Sequence, residues 1–206
     1  MRRALLPVLL AFAAVSFARV GDDFDSPEWK DEIASGYLPY RKLTYDDFPA
    51  AHGIPTSHKM WTQGFVHYSY RARWTQQGST FTAKISQISI RSGFDQNKSW
   101  KRDSISESKA LIAHEQGHLD INEIHAEELR QATLPEGKSS SGQGALDDLK
   151  SKLVDVFDRM NKEAQSEQDE YDQATSHGGL EDEQDAWNKK LRKRLDELHV
   201  KYWNQK

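Results

Sequence analysis

With 206 residues, of which 36% are hydrophobic and 29% charged, the chain is long enough for one domain with a proper core and has little room for a second. A formal net charge of −4 argues against a general nucleic-acid binder, because the basic run at 189–194 is bracketed by acidic residues. The absence of cysteine excludes disulfides, thiolate metal ligands and attachment through a lipobox.

The opening stretch, MRRALLPVLLAFAAVSFARV, differs in kind from the rest. Arg2 and Arg3 precede an apolar run at 4–15, and Ser16-Phe17-Ala18 offers a small-x-small site. This is the pattern of a secretory signal peptide, with an apolar run too short for a comfortable membrane span. Residues 1–18 are therefore expected to be removed near Ala18, leaving a periplasmic or secreted chain, 19–206, with no stable membrane association. The alternative is an uncleaved N-terminal anchor.

Residues 19–60, with YLPYRKLTYDDFPAAHGIP, read as an irregular lead-in containing one short strand at 41–44. QGFVHYSYRARW (63–74) and STFTAKISQISIRS (79–92) alternate in side-chain character and flank a Gly-containing turn, which predicts an antiparallel hairpin. A register change is expected near Gln87. Past Trp100 the period becomes helical. A helix is predicted over 104–133, opened by a capping box at Ser104 and Glu107. LPEGKSSSGQG (134–144) reads as a flexible connection. A second helix carries Leu146, Leu149, Leu153, Phe157 and Met160 to about Tyr171, and a third, 180–203, lines up Trp187, Leu191 and Leu195. The fold class is thus α+β: a small antiparallel sheet followed by three helices.

The first of these helices contains LIAHEQGHLDI (111–121). Helical residues four apart lie one above the other, so His114 and His118 can aim ring nitrogens at one ion, and zinc suits such a pair. Glu115 lies near the same face and can reach a water beside that ion as general base. A helical wheel puts Gln116, Asp120, Glu123 and Glu127 on a polar stripe and turns the His-Glu-x-x-His set inward. The alternative is a pair of core histidines with a salt-bridged glutamate. Gly117, a poor helix former, needs a close-approach reason to sit between the ligands. The extended pattern HExxHxxGxxH is excluded, since its glycine and third histidine fall on Ile121 and Ile124. His125 lies two turns beyond His118, which suits a supporting or core role.

The third ligand is sought in EYDQATSHGGLEDEQDAW, where the second helix gives way to a Gly-Gly break. His177 is the first choice and Asp172 the second, against an ordinary helix-ending turn. Tyr171 is either core packing or a phenol that donates to a developing oxyanion. His52, His58, His67 and His199 are read as structural or solvent-facing.

RKLTYDDF (41–48), FVHYSY, SWKR, LIAHEQGHLDINEIHAEELR and YDQATSHGGLEDEQDAW follow one another in an order that resembles a bacterial family of domains of unknown function, described as secreted zinc-dependent proteases. The likeness spans about residues 37–190, and its most specific pieces are HEQGH with LDI and YDxxTxHG. It implies a zincin-like metallopeptidase domain with its site on the HExxH helix. His114, Glu115, His118, Tyr171, Asp172 and His177 all match those motifs. The family's activity is itself inferred from the motif. The expectation is therefore an exported, zinc-dependent metallopeptidase using one zinc ion, His114, His118 and His177 as ligands, Glu115 and Tyr171 as catalytic groups, and a peptide or protein as substrate. A sheet edge from the 62–92 region would align an extended peptide. Two rivals share the motif: a metal-binding or adaptor protein without turnover, and a zinc hydrolase of a non-peptide amide.

Overall fold

The computed structural model describes residues 27–53 and 57–198. The expected signal peptide and the end of the last predicted helix, with His199, lie outside the described residues. No helix among them is long and apolar enough to cross a membrane.

A helix missing from the sequence reading comes first, α1 (Pro27–Ala34), opening on a proline that suits a first helical position. Strand β1 (Tyr37–Pro39) follows, and the strand expected at 41–44 is absent. That segment runs against a helix instead of a strand, because the Leu43 N–H donates to Gln116 Oε1 at 2.7 Å. Asp47 Oδ2 accepts from Thr44 N (2.6 Å) and Thr44 Oγ1 (3.0 Å), closing a 3-10 turn at Tyr45–Asp47. A small sheet follows, in which β2 (Ala50–Ala51) and β3 (Met60–Trp61) flank β6 (Trp100–Arg102), parallel and antiparallel respectively.

The predicted hairpin is present as β4 (Gly64–Gln77) and β5 (Thr80–Asp95). Arg71 faces Gln87 and Ala72 faces Ile85, so Ser86 is the extra residue of a bulge. This is the register change expected near Gln87. The other edge of β5 takes β1 at one end and β7 (Gly137–Ser139) at the other. The stretch 134–144 is thus partly strand, where the sequence suggested slack connection.

Helix α2 (Lys109–Gln131) starts one turn later than the capping box predicted. Its N-cap is Ser108, whose side chain accepts from Leu111 N at 3.4 Å, since residues 100–102 are still held in a strand. The β4–β5 sheet lies against one side of α2, and α3 (Gly142–Thr175) and α4 (Glu181–Glu197) pack against it as well. Leu119, Ile121, Ile124 and Ala126 of α2 are fully buried. One end of α3 contributes Leu149, Leu153 and Phe157 to a cluster with Ala83, Ile90 and Leu129. Its other end contributes Tyr171 to a second cluster with Phe48, Phe94, Leu119 and Leu191. An ion cluster also binds the three helices: Glu167 of α3 takes His125 Nε2 (2.9 Å) and both of its oxygens accept from Arg194 Nη1 (2.6 and 2.8 Å). Burial works against the Glu167 charge, but these partners prevail and hold its pKa down at about 2.

The polar stripe expected on α2 is not a solvent face. Asp120 and Glu123 are buried because the 37–48 segment and β5 cover that side. Asp120 Oδ1 accepts from the Tyr40 hydroxyl and from Gln116 Nε2, each at 2.8 Å, while Glu123 is bonded by Ser92 and by Arg130 Nη1 (2.7 Å). Burial pushes Asp120 up to about 6 in spite of its two donors. A carboxyl raised in this way favours folding in its protonated form. Its contribution is present below the unfolded value near 4 and is lost as pH rises through about 6. Asp120→Asn keeps an acceptor for both donors and removes the charge. Thermal melts should show the variant more stable by about 1–3 kcal/mol at pH 7 and nearly unchanged at pH 4.

Candidate metal centre

The N-terminal half of α2 faces the C-terminal turns of α3, and the motif side chains meet there. The Nε2 atoms of His114 and His118 are 3.3 Å apart. Asp172 Oδ1 lies 3.2 Å from the first and 3.1 Å from the second. Three ligand-type atoms therefore form a nearly equilateral triangle. Tetrahedral bonds of 2.0–2.1 Å separate ligand atoms by roughly 3.3–3.4 Å, so this triangle has the size of one face of such a coordination shell.

Each ring is fixed from behind. His114 Nδ1 is 3.1 Å from Gln184 Oε1, and His118 Nδ1 is 2.5 Å from Gln168 Oε1. Both Nε2 atoms are thereby turned toward Asp172. Asp172 Oδ1 is buried, yet no neighbour among the described residues donates it a well-formed hydrogen bond. Burial opposes charge on His118 and on Asp172 alike, but the attraction of Asp172 for the His114 and His118 rings, with Glu115 adding to it at His118, prevails. It raises His118 above the usual imidazole range and holds Asp172 well below the usual carboxylate range. Glu115, beside the triangle in sequence, is 4% exposed, and its Oε2 has no hydrogen-bond partner among the described residues.

His177 arrives by an unusual piece of backbone. Ser176, His177 and Gly178 all have left-handed φ, at 50°, 53° and 75°. For the two non-glycine residues this costs about 1–2 kcal/mol each. The turn is held by His177 N–H donating to Asp172 O (3.0 Å) and Leu180 N–H donating to Thr175 O (3.0 Å). It brings Gly178 against α2, where a Cβ would lie 3.0 Å from that of His114. His177 Nδ1 ends 3.4 Å from Asp172 Oδ1, and His114, Asp172 and His177 each offer an atom within 4.8 Å of the others. This is a group that could hold a metal ion. Both sequence candidates for a third ligand are therefore present, but in different settings. Asp172 is wedged between the rings, while the His177 side chain is 58% exposed at the mouth. His58, read as structural or solvent-facing, packs its ring on His177 at 5.0 Å and on Trp61 at 5.5 Å.

Tyr171 departs from the oxyanion expectation. It is 0% exposed, its ring stacks on His114 at 4.9 Å, and its hydroxyl donates to the His114 carbonyl at 2.9 Å. The hydroxyl oxygen accepts from Gln184 Nε2 at 2.6 Å. The one proton it could offer a substrate is already used, and burial raises its pKa further. It is a prop for α2 beneath His114. It also supplies the close-approach reason for Gly117, where a Cβ would fall 2.3 Å from the Tyr171 oxygen and 2.5 Å from Cζ. Gly117→Ala should lower stability by about 1–3 kcal/mol in a denaturant titration, despite the better helix propensity of alanine.

Gln168 and Gln184 were missed in the sequence, although a signal was there. Gln184 sits in the buried stripe of Trp187, Leu191 and Leu195, where an amide is out of place unless it serves a partner. Gln168 lies one turn before Asp172 on the same helix face. The remaining histidines among the described residues have other partners: His125 serves Glu167, exposed His52 pairs with Asp103 at 2.8 Å, and His67 packs on Phe65.

Residues 51–178 match the model of a family described as a bacterial protein of unknown function (DUF922). The matched stretch contains His114, Glu115, His118, Gln168, Tyr171, Asp172 and His177, and ends on Gly178. No curated protein and no solved structure matches the chain.

Proposed function

Because the chain belongs to the bacterial DUF922 family, whose description states no reaction, we propose its function from the site itself: an exported, zinc-dependent metallopeptidase. The observation that carries the reading is the triangle of His114 Nε2, His118 Nε2 and Asp172 Oδ1, with edges of 3.1–3.3 Å, beside a buried and unsatisfied Glu115 oxygen. Two imidazolium rings this close would repel each other, whereas one divalent ion takes the place of both protons. An all-nitrogen and oxygen set with two imidazoles suits zinc. His114, His118 and Asp172 would hold the ion, and His177 closes the exposed side.

Zinc bound there would supply Lewis acidity for an amide carbonyl and for a water. The residues of the chain do the rest. Glu115 accepts the proton of the attacking water as its oxygen bonds to the carbonyl carbon, then delivers it to the nitrogen as the C–N bond breaks. Gln168 and Gln184 hold the rings, and Tyr171 holds the helix under His114. The edge of β4 opposite β5 has no strand partner among the described residues and offers an extended peptide a place to pair.

The test is hydrolysis of an unstructured protein such as casein by the purified chain. Cleavage that stops after chelation and returns with zinc supports the proposal. Cleavage indifferent to chelator, or none in the zinc-loaded protein across a broad peptide library, removes it.

A further inference from the structure

The two glutamines behind the histidines are arranged alike. Gln168 Oε1 meets His118 Nδ1, while Gln168 Nε2 donates to the carbonyl of the same His118 at 2.9 Å and to Asn122 Oδ1 at 3.2 Å. Gln184 Oε1 meets His114 Nδ1, while Gln184 Nε2 donates to Asn188 Oδ1 (2.9 Å) and to the Tyr171 hydroxyl. That hydroxyl in turn donates to the carbonyl of the same His114. Each histidine is thus gripped at its ring and at its own carbonyl by one glutamine, directly at His118 and through Tyr171 at His114.

The amide orientation follows from these partners. In each glutamine the NH2 group faces two acceptors, so the oxygen must face the ring and accept its proton. Both rings are then obliged to carry hydrogen on Nδ1 and to present Nε2 forward. A free imidazole side chain favours the opposite tautomer. Resting on the metal-centre reading above, we infer that Gln168 and Gln184 are positioning residues that select the ligating tautomer of both histidines and set the strength of metal binding. A neutral amide also withdraws less proton density from the ring than a carboxylate in the same place would. It therefore leaves the imidazole a weaker ligand and a bound ion more acidic. The chain gives up some metal affinity at both rings and gains electrophilic strength at the ion.

The experiment is a titration of the full mature chain with zinc alone, against a competing chromophoric chelator. Gln168→Ala and Gln184→Ala should each bind about 10–100-fold more weakly than wild type. Gln168→Glu restores the acceptor as a carboxylate, and its affinity should equal or exceed that of wild type. A merely structural Gln168 predicts the reverse: the Glu variant, lacking the NH2 donor to His118 and Asn122, would be as weak as Ala. The spectroscopic signature is independent of affinity. In zinc-loaded wild type, NMR should show slowly exchanging Nδ1–H protons on both His114 and His118, and Gln168→Ala should lose that of His118 alone. Wild-type affinity and both ring protons in the Ala variants would overturn the inference while leaving the metal centre standing. No zinc binding by wild type would remove the metal centre, and the inference with it.

Discussion

Asp172→Ala is expected to abolish zinc retention while leaving the fold intact. The carboxylate oxygen lies within 3.1–3.2 Å of both histidine nitrogens and supplies the only negative charge in that triangle. Without it a divalent ion would be held by two neutral imidazoles and the exposed His177. Loss of an outer partner of a ligand costs about 10–100-fold in metal affinity, and loss of a ligand costs more, so a fall of at least about 100-fold is expected. His177→Ala should be milder, about 10-fold or less, because its ring is mostly exposed and is linked to the triangle chiefly through Asp172. Equilibrium dialysis of the two variants against buffered zinc orders the candidates. If His177→Ala loses the ion and Asp172→Ala keeps it, the ligand assignment is reversed.

Glu115→Gln carries the second large effect. Oε2 of Glu115 is buried with no hydrogen-bond partner among the described residues, an arrangement that costs stability and calls for a role. As general base it would contribute about 10²–10⁴-fold to turnover. The glutamine variant has the same shape and no charge, so it should bind zinc as wild type does. It should also melt no lower than wild type and hydrolyse peptide at about 10⁻²–10⁻⁴ of the normal rate. A variant with unchanged turnover would remove Glu115 from the chemistry. A wild type that binds zinc and hydrolyses nothing would favour the metal-binding or adaptor alternative.

Much of this site was legible because helical geometry is local. Four-residue spacing alone sets His114 over His118, and the break after Thr175 marks where the chain could turn back to them. The residues that were misjudged depend on packing between distant segments. Asp120 was placed on a solvent face because a helical wheel does not reveal that the 37–48 segment covers it. Tyr171 was left open between core packing and an oxyanion donor because its hydroxyl partner, the His114 carbonyl, lies 57 residues away in sequence. Asp172 and His177 were both sought as a third ligand where the helix breaks, and the fold brings both to His114. Strand β7 was read as loop because three residues rich in glycine and serine pair only where β5 waits for them. The sheet-then-helices order was readable from periodicity, and α1 was not, because eight residues in an irregular lead-in carry too little pattern.

A metal centre at the convergence of His114, His118 and Asp172 differs from a protonated ion pair of the same residues in retaining an ion. Elemental analysis of the purified chain tests it most directly, with a His114→Ala/His118→Ala double variant prepared alongside. About one equivalent of zinc in wild type and almost none in the double variant is the predicted result. No metal in wild type even after incubation with zinc, or equal zinc in both proteins, would contradict it.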